Sequence, residues 1–194
     1  SSIITNTNSG YTIKVDRTLP YTNLQSVVTI MTARDAAGNI RRTNWTFTVI
    51  DANAPVVVTH SPALGATGIA TNANINARVT DNVGVASNTI TVLVAGTYAI
   101  SNGVYKTGFS SIITNTNGGY TVKVDRTAPY TNLQAVVTIM TARDAAGNIR
   151  RTNWTFTVVD ANAPVVVSTI PANASTGVAT NAVVRVKFDD NVAV

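Results

Sequence analysis

The chain has 194 residues, among them 14 Lys and Arg, 9 Asp and neither Glu nor Cys, and its formal net charge is +5. The absence of cysteine excludes a disulfide framework and thiol chemistry, and the sequence contains no apolar run long enough to span a membrane. Its basic residues are scattered rather than clustered with aromatic residues, which argues against nucleic-acid binding.

The sequence repeats itself at domain length. The segment from Ser1 to Val58 returns from Ser110, 109 residues later, almost unchanged. That period is too long for the unit of a solenoid and suits one independently folding domain. Five pairs of positions differ between the two copies: Ser9/Gly118, Ile13/Val122, Leu19/Ala128, Ser26/Ala135 and Ile50/Val159.

The segment DANAPVVV, at Asp51 and again at Asp160, has the pattern of a domain start: a polar turn, a proline and a strand. Residues 1–50 are then the C-terminal half of one unit, residues 51–159 a complete unit, and residues 160–194 the N-terminal half of the next. The two halves together lack the equivalents of Ala86–Phe109. If the two half-units of neighbouring subunits combined into one domain, that domain would lack these residues. We therefore expect the sequence to be a segment of a longer repetitive chain.

Strands are predicted throughout the complete unit. Alternation places Trp154, Phe156 and Val158 on one face of the last of them, and turn signals recur every 8 to 12 residues, which is typical of an all-β sandwich of about seven to nine strands. The predicted strands are Val56–His60, Ala73–Thr80, Thr89–Ala95, Thr97–Ile100, Gly103–Thr107, Ser110–Thr114, Tyr120–Val124, Gln134–Arg143 and Arg151–Val159.

One predicted strand carries apolar residues on both faces, at Val136, Val137, Ile139 and Met140. A second apolar face indicates packing against another chain or domain. The alternatives are intrinsic strand propensity and cover by a loop.

The sequence contains few residues of the types that carry out catalysis. His60 is the only histidine, and its counterpart in the repeat is Thr169. Without Cys, Glu or a second His, neither a zinc site nor a nucleophile–base pair can be assembled. We therefore expect no enzyme.

The segment TARDAAGN before the closing strand WTFTV, and the opening APVVVTHSPALGATGIATN, resemble the bacterial immunoglobulin-like (Ig-like) repeats of S-layer and large surface proteins. The resemblance covers the complete unit and both half-units. It implies tandem Ig-like β-sandwich domains with a 109-residue repeat, displayed outside the cell or on its surface. It implies a stalk, filament or adhesin role and no enzymatic activity.

In an Ig-type sandwich, the incoming linker and two loops meet at one pole. Asp and Asn are concentrated there, and Ca²⁺ takes six to eight such oxygen ligands and stiffens domain junctions. DANAP also resembles the calcium linker of cadherins, without its second Asp-Asn pair. The candidate ligands are Asp16, Asp51, Asn53, Asp81, Asn82 and Asp144 at the first junction and Asp125, Asp160, Asn162, Asp189, Asp190 and Asn191 at the second.

The concentration of Asp and Asn at the junctions has a second explanation that needs no calcium. Asp and Asn are ordinary turn residues that bond their own backbone, and Arg17, Arg34 and Arg143 could neutralise the acids. These residues could therefore form turns without binding any ion, and both explanations remain open.

The function predicted from these observations is a structural repeat unit of an extracellular filament, surface layer or adhesin stalk. Its partners would be copies of itself. The alternative is an adhesin module that recognises glycan or another surface. Such a module should keep an exposed aromatic platform, whereas Trp45 and Trp154 are predicted to be buried and the repeats hardly vary, which favours the scaffold.

Residues 51–159 should fold alone as a monomeric sandwich, because a unit of this size buries enough surface without disulfides. Far-UV circular dichroism and a cooperative thermal transition of that segment test the prediction. A soluble but unfolded product would show that the boundaries are wrong or that neighbouring chains are required.

Overall fold

The computed structural model describes residues 1–192, whose regular elements are antiparallel strands apart from one short 3-10 turn. The chain divides into two compact units, Ser1–Ala54 and Pro55–Val194. The first unit consists of two hairpins. Its strands are β1 (Ser2–Thr7), β2 (Gly10–Val15), β3 (Ser26–Arg34) and β4 (Ile40–Thr48), with β1 paired to β2 and β3 to β4.

The second unit contains a two-sheet sandwich followed by a hairpin. One sheet has the order β10-β11-β6-β5 and the other β13-β12-β7-β8-β9, and β14 pairs with β15 in the hairpin. The strands are β5 (Val56–Ser61), β6 (Ile75–Thr80), β7 (Thr91–Val94), β8 (Thr97–Ser101), β9 (Val104–Tyr105), β10 (Phe109–Thr116), β11 (Gly119–Arg126), β12 (Ala135–Arg143), β13 (Ile149–Thr157), β14 (Val165–Ile170) and β15 (Arg185–Asp189).

Alternating side chains of the two sheets form one core, as the sequence predicts. Trp154, Phe156 and Val158 are all buried, and β12 directs Val136 and Met140 into the same cluster. The remaining core comes chiefly from apolar side chains of β6, β7, β8 and β11. The prediction of an all-β sandwich is confirmed in this unit.

The third predicted strand begins later than expected. Residues Ser87–Thr89 form a 3-10 turn, and β7 starts only at Thr91. The hydroxyl of Thr89 donates to the carbonyl of Ala86 at 2.6 Å, and its N–H donates to the same oxygen at 3.0 Å. Local bonding by a threonine side chain thus replaces the first strand pairs.

The first unit exposes a face that its counterpart buries. Trp45 is 49% exposed, while Trp154, at the equivalent position, is 1% exposed. The prediction that Trp45 is buried is therefore wrong. The first unit contains β1 and β2, the counterparts of β10 and β11, but its described residues include no counterpart of β5 and β6, so only part of the facing sheet is present.

The two-faced strand β12 directs its other apolar side chains outward. Val137 is exposed, and half-buried Ile139 is paired across the sheet with Leu93. Leu93 and Tyr98 lie beside Ile139 in a shallow depression. This outer face is partly apolar, as expected for an interface with another chain or domain and equally for a strand with high intrinsic propensity.

Trp154→Ala should cost about 3–5 kcal/mol of unfolding free energy, because it leaves a large cavity in a closed core. Urea unfolding monitored by circular dichroism measures the cost. Trp45→Ala is the matched control and should cost clearly less, since that ring is half exposed. Equal effects of the two substitutions would contradict the account of the core.

Candidate functional site

An asparagine in the loop between β11 and β12 binds the segment that leaves the sandwich. The Nδ2 of Asn132 donates to Oδ1 of Asp160 at 2.5 Å, and its Oδ1 accepts the backbone N–H of Ala161. One side-chain amide therefore makes two bonds to consecutive residues. We call this group, Asn132 with Asp160 and Ala161, the amide clamp.

Asp160 extends the clamp to the next half-unit. Its Oδ1 also accepts the N–H of Asn162 at 3.1 Å, and its Oδ2 accepts the side-chain amide of Asn191 at 3.1 Å. Asn191 lies just beyond β15, whereas Asn132 belongs to the sandwich. A single carboxylate thus connects a loop of one repeat to a turn of the next.

The hydrogen bonds also change the acidity of Asp160. Bonds from the amide of Asn132, from the N–H of Asn162 and from Asn191 lower the pKa of Asp160 below its ordinary value of 3.8, while partial desolvation acts in the opposite direction. Donors favour the charged carboxylate over the neutral acid. The bonds therefore stabilise the fold above the ordinary pKa and lose that effect as the pH falls through the lower, folded-state pKa.

The first unit contains the same clamp. Asn23 donates to Asp51 at 2.5 Å and accepts the N–H of Ala52 at 2.5 Å, and Asn53 donates its N–H to Asp51 at 3.2 Å. The sequence predicted a role for Asp51 and Asp160 but missed Asn23 and Asn132. The available signal was the segment TNLQ, which is identical in both copies.

Two of the predicted calcium ligands lie together in the sandwich. An isolated bridge pairs Val85 with Asp144 and brings the turn after β6 beside that residue. Carboxylate oxygens of Asp81 and Asp144 come within 4.8 Å of each other. Asp144 is 4% exposed, and two carboxylates at this separation repel each other.

The pair is only partly satisfied by the protein. Asp144 accepts the N–H of Asn148 at 2.9 Å and its side-chain amide at 2.7 Å, which forms the tight turn after β12. Asp81 accepts the N–H of Val83 at 2.9 Å, but its Oδ1 is buried without a hydrogen-bond partner. Within residues 1–192, neither carboxylate forms an ion pair with an arginine. The predicted compensation by arginine is thus not seen at this pair.

Asp16 and the candidate ligands of the second junction have other surroundings. Asp16 pairs with Lys14 at 3.2 Å, and Asp125 lies within β11 rather than in a turn. Asp189 and Asp190 flank an open polar groove of about 690 Å³ with Asn162 and Asn191. Among the described residues, Asp125, Asp160, Asp189 and Asp190 do not assemble into a group of three close ligands. Asn82 follows Asp81 in the turn after β6 and is exposed.

The model of one protein family matches most of the chain. The bacterial Ig-like domain matches residues 51–158 and again residues 160–194. No curated protein matches the chain significantly. No helix within residues 1–192 is both long and apolar enough to cross a membrane.

Several solved structures are similar at low sequence identity. CopC from Methylosinus trichosporium OB3b is 16% identical, with a TM-score of 0.41 over 56% of this chain and 97% of that one. Dimeric latent PorU from Porphyromonas gingivalis is 14% identical with a TM-score of 0.40; 80% of this chain corresponds to only 16% of PorU. The A168–A169 segment of titin is 12% identical with a TM-score of 0.38, over 82% and 75% of the two chains.

Asn132→Ala should raise the pKa of Asp160 towards its ordinary value, because it removes the largest stabilising contact of the charged form. A ¹³C NMR titration of the side-chain carboxyl measures this pKa directly. Asn153→Ala, on the exposed part of β13, is the control and should leave the pKa unchanged. A carboxyl of Asp160 that titrates at 3.8 in the parent protein would disprove the clamp.

Proposed function

Because the chain belongs to the family of bacterial Ig-like domains, we propose that it is a structural repeat unit of an extracellular filament, surface layer or adhesin stalk. The near-identity of the repeated segments supports this role, since a scaffold reuses one module many times. Its partners are neighbouring repeats, and it works at the cell surface or outside the cell. The proposal includes no enzymatic step.

The observation that carries the proposal is the amide clamp. Domains in one chain move relative to each other by default unless the interface between them is large and hydrophobic, so contacts made by the linker matter where it is not. Here the linker carboxylate Asp160 accepts bonds from Asn132 on one side and Asn191 on the other. Charge-assisted hydrogen bonds are shorter and stronger than neutral ones. They restrict the linker and give successive repeats a preferred orientation.

We also propose that Ca²⁺ contributes at the acid pair Asp81 and Asp144. The ion prefers oxygen ligands and would relieve the repulsion between the two carboxylates. The unpartnered Oδ1 of Asp81 supports this role. The two carboxylates can supply only part of the six to eight oxygens that the ion requires.

A polypeptide of four successive repeats should be stiff in solution, and Asn132→Ala in every repeat should loosen it without unfolding the sandwiches. Small-angle X-ray scattering measures the radius of gyration and maximum dimension, and both should fall in the variant. Thermal unfolding shows whether each sandwich stays intact. Asn153→Ala in every repeat is the matched control and should preserve the parent dimensions.

The same polypeptide distinguishes the ion from the clamp. If Ca²⁺ contributes, EDTA should lower the dimensions of the parent, and calorimetry should detect calcium binding that Asp81→Asn abolishes. Equal dimensions with calcium and with EDTA, together with no calorimetric binding, would leave the clamp and turn formation as the whole account. A flexible parent polypeptide under both conditions would refute the structural proposal itself.

A further inference from the structure

A groove of about 450 Å³ lies on the second unit, away from the amide clamp. It opens between the 3-10 turn at Ser87–Thr89, the turn between β8 and β9, and the hairpin of β10 and β11. Two tyrosines, Tyr105 and Tyr120, and three asparagines line it together with small and apolar residues. The asparagines are Asn88, Asn102 and Asn115.

The walls of the groove are fixed by the fold. The hydroxyl of Tyr105 accepts the backbone N–H of Ile113 at 3.0 Å, which sets the position of the ring. Gly103 has φ +73°, and a Cβ there would lie 2.8 Å from the Cα of Asn88. Only glycine therefore allows the two turns to approach so closely. A recognition surface held in advance loses less conformational entropy on binding.

The groups that the groove exposes are an aromatic ring and uncharged side-chain amides. Tyr105 is 51% exposed, so its ring is accessible although its hydroxyl is bonded. The side-chain amides of Asn88 and Asn115 make no hydrogen bond within residues 1–192. Each amide offers both donors and acceptors. The lining contains no charged residue, which disfavours anionic ligands and basic or acidic peptides.

An extended peptide is a poor occupant for a second reason. Peptides commonly bind a sandwich by adding a strand to a free sheet edge. β10 is such an edge, but the N–H of Ile113 on it is already occupied by the hydroxyl of Tyr105. Strand addition would have to break that bond.

We propose that this groove binds a neutral glycan. A pyranose ring has an apolar C–H face, which matches the half-exposed aromatic ring of Tyr105, and a rim of hydroxyls that act as donors and acceptors. Those hydroxyls match the uncommitted amides of Asn88 and Asn115. The site is independent of the structural role, and each further copy in an array would add avidity.

Much of the site lies in the part of the unit that occurs once in this chain. Asn88, Asn102 and Tyr105 fall within residues 86–109, which have no counterpart elsewhere in the sequence. Asn115 and Tyr120 recur as Asn6 and Tyr11 in the first unit. The proposal therefore assigns the site to the complete sandwich alone.

The test uses the full 194-residue chain, labelled with ¹⁵N, in NMR titrations against four neutral hexasaccharides: cellohexaose, maltohexaose, mannohexaose and the N-acetylglucosamine hexamer. At least one should bind with a Kd of about 0.1–1 mM, as expected for an open groove, and shift the amides around Tyr105 and Asn88. Hexagalacturonic acid, of the same length and negatively charged, should bind less well than that sugar.

Tyr105→Ala should weaken binding at least about tenfold, because it removes the stacking ring. The double variant Asn88→Ala with Asn115→Ala should weaken it similarly and leaves the bond between Tyr105 and Ile113 in place, so it remains informative if Tyr105→Ala fails to fold. Tyr98→Ala is the matched control: Tyr98 is 53% exposed on β8 but lies outside the groove, and its loss should leave binding unchanged.

Three results would overturn the proposal. They are no binding of any neutral hexasaccharide at millimolar concentration, tighter binding of hexagalacturonic acid, and a loss in Tyr98→Ala equal to that in Tyr105→Ala. None of these results bears on the stiffness of the array, which depends on Asn132 and Asp160 rather than on the groove.

Discussion

Burial of one apolar face by each of two sheets is the constraint on which the rest of this structure depends. The comparison lies within the chain itself, since Trp45 and Trp154 occupy equivalent positions and differ in exposure by 49% against 1%. Nearly identical strands with identical pairing registers leave a half-open face where the first unit has no counterparts of β5 and β6. Strand pairing alone therefore does not bury the apolar face. The closed core between two sheets is what makes the second unit a stable domain.

A closed core in turn positions the loops that carry the junction. Tyr130 packs against Phe156 with ring centroids 5.7 Å apart, and its N–H donates to the carbonyl of Thr71 at 2.7 Å. These contacts anchor the loop that presents Asn132. A clamp between two repeats requires such anchoring, because a bond from a mobile loop would not restrict the linker. Packing of this one short segment against the core thus holds Asn132 in position at the junction.

The strands of the sandwich could be predicted because alternation of apolar and polar residues is a local signal. Trp154, Phe156 and Val158 were assigned to one buried face from their spacing alone. The bonds of the clamp could not be predicted in the same way, since Asn132 and Asp160 are 28 residues apart. Asparagine in a proline-containing loop is also ordinary turn chemistry. Asp81 and Asp144 were assigned to one pole from the fold, whereas the unpartnered oxygen of Asp81 is visible only from atomic contacts.

The groove was missed for a different reason. A binding module was expected to keep an exposed aromatic platform, and only Trp45 and Trp154 were considered for it. The accessible ring in the groove belongs to Tyr105, on a two-residue strand with a weak pattern. Residues 86–109 combine three tasks. Ile90, Val92 and Ile100 fill the core, Tyr105 occupies a polar group at the edge of β10, and Asn88 with Tyr105 forms the neutral surface. A free strand edge is an aggregation hazard. The hydroxyl of Tyr105 protects that edge while its ring stays accessible, so edge protection and recognition can coexist in one side chain.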